Sequence, residues 1–374
     1  MVHVVADGWE PMRILVINAG SSSLKWQYFD GDRLVIDENI QRWNPADGFD
    51  DVVAAVSAAG GVDAVGHRVV HGGPKLRETT VIDDDVVEYL KTTVDLAPLH
   101  QPPAIAGIEI ARAAFPDAVH VACFDTAFHR TLSSAASTYA LPKEWNERWQ
   151  LRRYGFHGLS HAYAYRAGAQ LAGVSTDSRI LTAHLGAGAS LCAIHEGRSV
   201  ATTMGFTPLE GLVMVTRSGT VDPGLMLWLL EHTSMDVKQL SDAMEHGSGL
   251  AGLSGTSGDV RDVVAGVDAG DTDAITAWEV FNHQLAGLAG QMIVAMGGLD
   301  LLVFTGGIGE HQQRVRDSLA SALGFLGVEL SSAANDAASG DAVISSAASR
   351  VPVVVVTARE DLQIVREVAS VVSR

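Results

Sequence analysis

Short hydrophobic runs of strand length alternate with longer segments of helical periodicity along this chain, a pattern typical of α/β proteins. The apolar runs predict buried strands at 14–18, 64–70, 119–127, 179–185, 301–305 and 351–357. Helical periodicity predicts helices at 50–59, 157–172 and 272–296, and a terminal helix from Asp361. The segment 331–349, rich in Ala and Ser, is interpreted as a surface excursion. With 374 residues, the chain is long enough for two domains of ordinary size.

One order of strands and turns occurs twice. The strand at 14–18 leads through Gly20-Ser21-Ser22-Ser23 to a second strand, an Asp30-Gly31 turn and a third strand. The strand at 179–185 leads through 186–190 to a second strand, a Glu196-Gly197 turn and a third strand. We interpret this as an internal duplication, one copy per domain. The N-terminal domain is placed at 1–150, with the helix 361–374 packing back on it, and the C-terminal nucleotide-binding domain at 151–360.

Charge and composition narrow the classes of function. The net charge of −18 argues against nucleic acid as a partner, because phosphates would be repelled. No apolar run approaches the ~20 residues of a membrane helix, and the first dozen residues, read as a loose extension, lack the apolar core of a signal peptide. Cys123 and Cys192 lack metal-site spacing and are expected to be buried thiols of a cytoplasmic protein. Anionic substrates would require cations concentrated locally against the acidic background.

Three segments rich in small residues could hold a nucleotide. Segments 18–25 and 184–188 are hairpin turns that expose successive backbone N–H groups to a phosphate, although such turns are more often only turns. Their equivalent places in the duplicated unit favour phosphate binding. The third segment, 306–310, follows a buried strand and is expected to precede a helix beginning near Gln312. Its glycines would let the backbone pack against a base or ribose. It has neither the P-loop spacing nor that of a dinucleotide fingerprint.

Several blocks of the chain together resemble the acetate kinase family and occur in its order. They are the segments 16–25, 66–73, 96–100, 124–129, 154–161, 204–211 and 216–219. The likeness runs from about Arg13 to the end of the chain. That family is grouped with sugar kinases, Hsp70 and actin. The resemblance therefore implies two duplicated ribonuclease-H-like (actin-like ATPase) domains with an interdomain nucleotide cleft.

The resemblance also implies a role for each residue that matches a family motif. The expected partners are ATP/ADP, acetate/acetyl phosphate, Mg²⁺ (or Mn²⁺) and a second copy of the chain in a homodimer. The metal is assigned to Asn18 and Glu360, and the carboxylate of acetate to Arg68. The pocket for the acetate methyl group is assigned to Val70, Leu99, Phe156 and Pro208. The catalytic residues are Asp125, His157 and Arg217. The ATP-binding residues are Lys25, His184, Leu185, Gly186, Ala187, Gly188, Asp259, Val260, Arg261, Gly306, Gly307, Ile308, Gly309 and Glu310.

These residue types suit the chemistry of phosphoryl transfer. The reaction needs in-line positioning and neutralisation of charge on the equatorial oxygens, which Arg217, His157 and a metal ion supply. The fork of Arg68 matches a carboxylate, although a lone arginine is more often a surface ion pair. Acetate is already ionised at pH 7, so no base is needed, and we expect Asp125 to orient an arginine or metal-bound water. A lone histidine is usually a core residue, and we interpret His161 in that way.

The chain departs from the family blocks at three positions. Ala187 stands where Asn is usual, Thr220 where an acidic residue is usual, and Arg359 beside the expected metal ligand Glu360 where Asn is commoner. Two rival functions stay open at this point. One is another short-chain acyl kinase such as a propionate kinase, since one methylene is worth only ~1–3 kcal/mol in a pocket. The other is an actin- or Hsp70-like ATPase, which would need neither the Arg68 block nor the apolar pocket.

Overall fold

The computed structural model describes residues 12–20, 23–45 and 48–373. The N-terminal extension and the serines 21 and 22 of the first small-residue turn lie outside the described residues. The chain divides into two compact units. Of the described residues, unit 1 holds those up to Arg130, the segment Gly158–Tyr163 and those from Arg359 onward; unit 2 holds Thr131–His157 and Ala164–Ala358.

The described strands and helices follow the alternation expected from the sequence. The strands are β1 (Arg13–Ala19), β2 (Ser23–Asp30), β3 (Arg33–Gln41), β4 (Ala64–Val69), β5 (Thr80–Val81), β6 (Val119–Phe124), β7 (Ile180–Leu185), β8 (Ala189–His195), β9 (Arg198–Thr202), β10 (Leu301–Thr305), β11 (Ala342–Val343) and β12 (Val353–Val355). The helices are α1 (Asp50–Ala58), α2 (Asp84–Lys91), α3 (Gln101–Ala114), α4 (Ser134–Ser137), α5 (Lys143–Trp149), α6 (Gly158–Ala172), α7 (Pro223–His232), α8 (Val237–His246), α9 (Gly249–Ser254), α10 (Val260–Asp268), α11 (Thr272–Met296), α12 (Gly306–His311), α13 (Gln313–Ala322), α14 (Ser332–Ala337) and α15 (Glu360–Val372).

Unit 1 is built on a six-stranded sheet in the order β3-β2-β1-β4-β6-β5. β1, β2 and β3 form an antiparallel meander, β4 and β6 continue parallel to β1, and β5 closes the edge antiparallel to β6. Helix α15 packs on the central strands, where Gly66 leaves room for it. A Cβ atom at Gly66 would lie 2.5 Å from the Ile364 side chain and 2.8 Å from that of Val368.

Unit 2 repeats this sheet, in the order β9-β8-β7-β10-β12-β11. The strand directions are the same in both units: an antiparallel meander, two further parallel strands and an antiparallel edge strand. The α/β class and the internal duplication inferred from the two small-residue turns are therefore confirmed. The turn between β1 and β2 and the turn between β7 and β8 occupy equivalent places in the two sheets.

Some segments differ from the sequence-based expectation. The segment 131–150, which we assigned to the N-terminal domain, groups with unit 2, where the Thr131 hydroxyl donates to the Ser199 carbonyl (2.8 Å). The supposed surface excursion at 331–349 contains α14 and the edge strand β11, followed by a fully buried Ile344. Both cysteines are buried thiols outside any disulfide, as expected. Among the described residues, no helix is both long enough and apolar enough to cross a membrane.

Candidate active site

In unit 1, Arg68 is held by two carboxylates. It lies near the end of β4, and Asp125 directly follows the neighbouring strand β6, so the two side chains leave the same edge of the sheet. Arg68 Nε donates to Asp125 Oδ1 (3.0 Å), and Nη2 donates to Oδ2 (2.8 Å). Arg68 Nη1 forms an ion pair with Glu360 Oε2 at 3.3 Å. The fork of Asp125 and the guanidinium is the strong, bidentate kind of charge-assisted hydrogen bond.

The charges of this cluster respond to burial and to one another. The Asp125 side chain is only 3% exposed and that of Arg68 is 21% exposed. Burial lowers the pKa of Arg68, but the two carboxylates outweigh that effect and hold the pKa above its ordinary value. Burial raises the pKa of Glu360, with Arg68 opposing the rise and Asp125 adding to it. Arg68 therefore stays charged, and it faces two carboxyl groups.

Two further predicted residues of unit 1 lie beside this cluster, because β1 is the neighbour of β4 and Ile17 is paired with His67, and because Lys25 acts electrostatically on Glu360 and opposes the rise of its pKa. Asn18 on β1 and Lys25 on β2 are directly opposite in the strand register, and Lys25 Nζ lies 3.9 Å from Asp37 Oδ1. Val70 follows β4 and is partly buried. Leu99, in contrast, is 53% exposed, which is unusual for the wall of an apolar pocket. Among the described residues, no cluster of three or more His, Cys, Asp or Glu side chains is arranged to hold a metal ion.

In unit 2, the side chains of His157 and Arg217 converge on the turn between β7 and β8. A Cβ atom at Gly188 would lie 3.3 Å from His157 Nε2 and 3.5 Å from Arg217 Nη1. Arg217 also forms an ion pair through Nε with Glu245 Oε2 (3.3 Å). Because Gly188 lacks a side chain, the space between these nitrogens and its backbone can admit an anion.

His157 occupies an unusual backbone position. It is the residue before α6 and has φ 56°, in the left-handed region that few non-glycine residues adopt. Its ring stacks on His184, with centroids 4.3 Å apart, and its Nδ1 lies 3.0 Å from the Ser190 hydroxyl. The stack and this contact fix the ring, so that Nε2 faces Gly188. The sequence predicted a helix that starts at His157, whereas in the structure His157 is the N-cap residue and the helix starts at Gly158.

A cavity of about 590 Å³ in unit 2 is lined by half of the fourteen residues that were predicted to bind ATP. Seven of its lining residues were predicted: Gly186, Ala187, Asp259, Val260, Arg261, Gly307 and Ile308. Four were not predicted: Val215, Ser257, His311 and Gln312. Its size is that of a small-molecule site. Within the described residues, the other seven predicted contacts lie outside its lining: Lys25 of unit 1, and His184, Leu185, Gly188, Gly306, Gly309 and Glu310 of unit 2.

The two sides of this cavity are held by different side-chain contacts. Asp259 is the N-cap residue of α10 and accepts two side-chain hydrogen bonds from Arg261 (2.9 and 2.6 Å). Hydrogen bonding from Arg261 lowers the pKa of Asp259 to about 2. On the other side, the fully buried Arg316 donates to the carbonyls of Gly309 (3.0 Å) and Glu310 (2.8 Å). Arg316 thus holds the segment 306–310 in place. The residues that flank Arg316 along the chain gave no indication of this role.

The third glycine segment is helical, which corrects the expectation of a loop before a helix near Gln312. The chain passes from β10 directly into α12, so 306–310 forms the first turns of that helix. Gly306 has φ 78°, and a Cβ there would lie 2.7 Å from the Leu185 carbonyl oxygen. Only glycine fits at that position. A Cβ at Gly307 would meet nothing within 4 Å, so the fold itself does not require this second glycine.

The remaining predicted residues of unit 2 are the pocket residues Phe156 and Pro208. Phe156 is buried next to His157, and Pro208 is partly buried after β9.

The three positions that depart from the family blocks are also accounted for in the structure. Ala187, which stands where the family blocks have Asn, lies exposed at the edge of the cavity and leaves it open. Thr220 binds the backbone of Gly211 through its hydroxyl (3.1 Å). In unit 1, Arg359 pairs with Asp361 (2.9 Å), so its charge is already matched by a carboxylate other than Glu360.

Comparison with known proteins gives a consistent result. A family profile described as the acetokinase family matches residues 50–366. The chain is 38% identical to an acetate kinase from Acetivibrio thermocellus (95% of this chain, 98% of the relative) and 40% identical to one from Coprothermobacter proteolyticus (96% and 99%). The crystal structure of Porphyromonas gingivalis acetate kinase matches with a TM-score of 0.89 and 32% identity over 96% of this chain and 100% of that one. A propionate kinase structure from Francisella tularensis matches with a TM-score of 0.87 and 33% identity over 96% and 99%.

Proposed function

Since the chain belongs to the acetokinase family, we infer that it is an acetate kinase, which transfers the γ-phosphoryl group of ATP reversibly to acetate. The observation that carries this proposal is the convergence of His157 Nε2 and Arg217 Nη1 on Gly188, beside a cavity of nucleotide size. A phosphate there would meet the N–H donor of Arg217 Nη1, the His157 Nε2 atom and a backbone without a side chain; Nε2 is a donor when Nδ1 accepts the hydrogen bond from the Ser190 hydroxyl. An anion held in this way is what a phosphoryl-transfer site needs.

We assign the adenosine portion of ATP to the cavity and its phosphates to the β7–β8 turn. Gly186 and Gly307 belong to the cavity wall, and the turn continues from Gly186 to Gly188. A side chain at Gly307 would fill open space rather than collide with protein, which supports a role for this glycine in admitting a ligand. Val260 and Ile308 supply the apolar part of the lining that a base requires.

We assign the carboxylate of acetate to Arg68. The guanidinium has five N–H donors; two bind Asp125 and one faces Glu360, so two are left for a second carboxylate. Asp125 then acts as the residue that fixes the plane of the guanidinium. This supports the expectation that Asp125 orients an arginine and is not a base.

The proposed reaction is an in-line displacement. A carboxylate oxygen of acetate forms a bond to the γ-phosphorus, the bond to the β,γ-bridging oxygen breaks, and ADP leaves with the electron pair. No proton is moved, since acetate, like other carboxylic acids with pKa values near 4, is ionised at neutral pH. His157 and Arg217 would stabilise the negative charge on the transferring group.

A divalent metal ion fits the charge of the Arg68 cluster. One guanidinium faces two carboxylates, and adding acetate would raise the excess of negative charge further. Hard ions such as Mg²⁺ prefer the oxygen ligands that Glu360 and Asn18 carry. We propose that these two residues hold Mg²⁺, which when bound would neutralise phosphate charge. Mn²⁺ has similar ligand preferences and serves as the alternative in the assay.

We also propose that the protein is a cytoplasmic homodimer. Helix α7 is strongly apolar, yet none of its ten residues is buried. Leu225 is 46%, Leu227 61% and Trp228 52% exposed. A cluster of large exposed apolar side chains is typical of an interaction surface. Sedimentation of the wild type and of Trp228→Arg tests this: the wild type should be a dimer and the variant a monomer, and a monomeric wild type contradicts it.

The function is tested by trapping acyl phosphate as its hydroxamate, with purified protein, Mg-ATP and either acetate, propionate or butyrate. We expect acetate to be the best acceptor and propionate to be used as well. The second candidate, a propionate kinase, is favoured by the similarity to the Francisella tularensis structure and would be indicated by a higher kcat/KM with propionate. ATP hydrolysis without any acyl phosphate would overturn both and favour an ATPase of the actin or Hsp70 kind.

A further inference from the structure

We propose that Glu245 is a positioning residue for Arg217, an inference that rests on the proposed phosphoryl transfer. Glu245 lies near the end of α8, and its Oε2 is 3.3 Å from Arg217 Nε. The ion pair occupies the Nε side of the guanidinium. Nη1, in contrast, faces Gly188, where the phosphoryl group is assigned, and its protein partner is the weak acceptor Met214 Sδ at 3.8 Å. Glu245 therefore holds one side of the guanidinium while the other stays available to substrate.

The backbone around this pair is fixed independently of the two side chains. The Thr216 hydroxyl donates to the Glu245 carbonyl (2.9 Å), and the Ser218 N–H donates to the Met244 carbonyl (3.1 Å). The N–H of Ser248 donates to the Thr216 carbonyl (3.0 Å). These bonds join the residues on both sides of Arg217 to the end of α8. The carboxylate and the guanidinium are thus brought together by a rigid frame.

An ordinary surface ion pair is the competing interpretation, and such pairs contribute little to stability. Two observations favour a role in positioning. Both side chains are partly buried, at 23% and 27% exposure, which reduces screening by solvent. In addition, the same guanidinium is within reach of the space beside Gly188, so any rotation of it changes where Nη1 lies. Thr220, at the position where the family blocks have an acidic residue, binds Gly211 and supplies no charge to Arg217.

Kinetics with acetate and Mg-ATP test the proposal. We expect Glu245→Ala to lower kcat by about 10- to 100-fold, because small displacements of a catalytic group carry costs of this order. The KM values for acetate and ATP should change by less than about threefold, since uniform binding is kept. Glu245→Gln keeps an acceptor of the same shape and should restore kcat to within about threefold of wild type. Asp242→Ala, at an exposed position on the same helix, is the matched control and should behave as wild type.

A double-mutant cycle decides whether Glu245 acts through Arg217. In an Arg217→Ala background, Glu245→Ala should have less than about a twofold further effect on kcat. The proposal is overturned if Glu245→Ala has wild-type kcat, or if its effect is as large without Arg217 as with it. The resonance of the Arg217 Nε–H group, assigned by its loss in Arg217→Lys, gives a readout independent of catalysis. It should move in Glu245→Ala and stay in place in Asp242→Ala; an unmoved resonance refutes the pairing even if the protein proves to have another activity.

Discussion

Replacing Gly188 by alanine should affect the stability of the protein and its activity to very different extents. The new methyl group would lie 3.3 Å from His157 Nε2 and 3.5 Å from Arg217 Nη1. The guanidinium is the end of a flexible side chain, and the His157 ring, although oriented by His184 and Ser190, has to shift by only a few tenths of an ångström. The backbone of Gly188 does not have a positive φ, so alanine is not strained there. Alanine also reduces the entropy of the unfolded chain by ~0.4–1 kcal/mol, so we expect the free energy of unfolding to stay within ~1 kcal/mol of wild type.

Activity should respond very differently. The methyl group would occupy the space in which we place a phosphoryl oxygen, and it would push both nitrogen donors outward. Displacements of this kind can cost about 10²-fold in rate, so we expect kcat/KM for acetate phosphorylation to fall by about that factor. The assay is hydroxamate trapping at saturating Mg-ATP, together with urea unfolding of the same preparation.

Two neighbouring glycines serve as controls of opposite kind. Gly306→Ala places a Cβ 2.7 Å from the Leu185 carbonyl at a φ of 78°, so it should destabilise the protein by more than ~1 kcal/mol. Gly307→Ala meets nothing within 4 Å and should leave stability unchanged while weakening ATP binding. Full activity of Gly188→Ala would refute the placement of the phosphoryl group. A large loss of stability in Gly188→Ala would refute the packing from which that placement was inferred.

Three further predictions concern arginines and a histidine. Arg68→Lys should raise the KM for acetate at least about 10-fold, because lysine cannot form the planar fork with Asp125; an unchanged KM in the acyl phosphate assay contradicts this. Arg316→Met should lower the free energy of unfolding by about 3 kcal/mol in urea titrations, since it strands several buried oxygens; wild-type stability would show that these oxygens find other donors. Burial lowers the pKa of His71 from 6.5 to about 4, so its stabilising contribution is complete above pH 6.5 and is lost as the pH falls toward 4. The loss amounts to about 3 kcal/mol between these pH values, and a His71 ring that titrates near 6.5 by NMR would contradict it.

Much of the fold could be predicted because it is encoded locally. The buried strands β1, β4 and β7 were located to within one or two residues by their apolar runs. The duplication could be predicted because each copy repeats a short local pattern of strand, small-residue turn and strand. The segment 331–349 was misjudged for the opposite reason. Its Ala- and Ser-rich composition carries no periodicity, yet Asn335 within it is buried because it accepts a hydrogen bond from Arg316, which is 19 residues away.

In the candidate site, too, the residues that local sequence encodes could be predicted and the others could not. Lining residues within short glycine-rich segments, such as Gly186 and Gly307, were predicted from those segments, although the second segment proved to be helical. The lining residues Ser257 and His311 were missed, since each lies just outside a predicted motif. Extending each motif by a few residues along the chain would have included both. The left-handed backbone of His157 could not be predicted, because no property of a histidine between Phe156 and Gly158 signals a positive φ.

The ion-pair partners of Arg68 and Arg217 were the features of the site that the sequence indicated least. Arg68 is bound by a carboxylate 57 residues away, and Arg217 by one near the end of another helix. In both cases one part of the guanidinium is satisfied by the protein, and N–H donors remain for an anion. A chain with a net charge of −18 can therefore bind anionic substrates without unpaired cations, because its acidic residues orient the arginines that hold the substrate. The composition that made anionic substrates appear unfavourable thus contributes to their recognition.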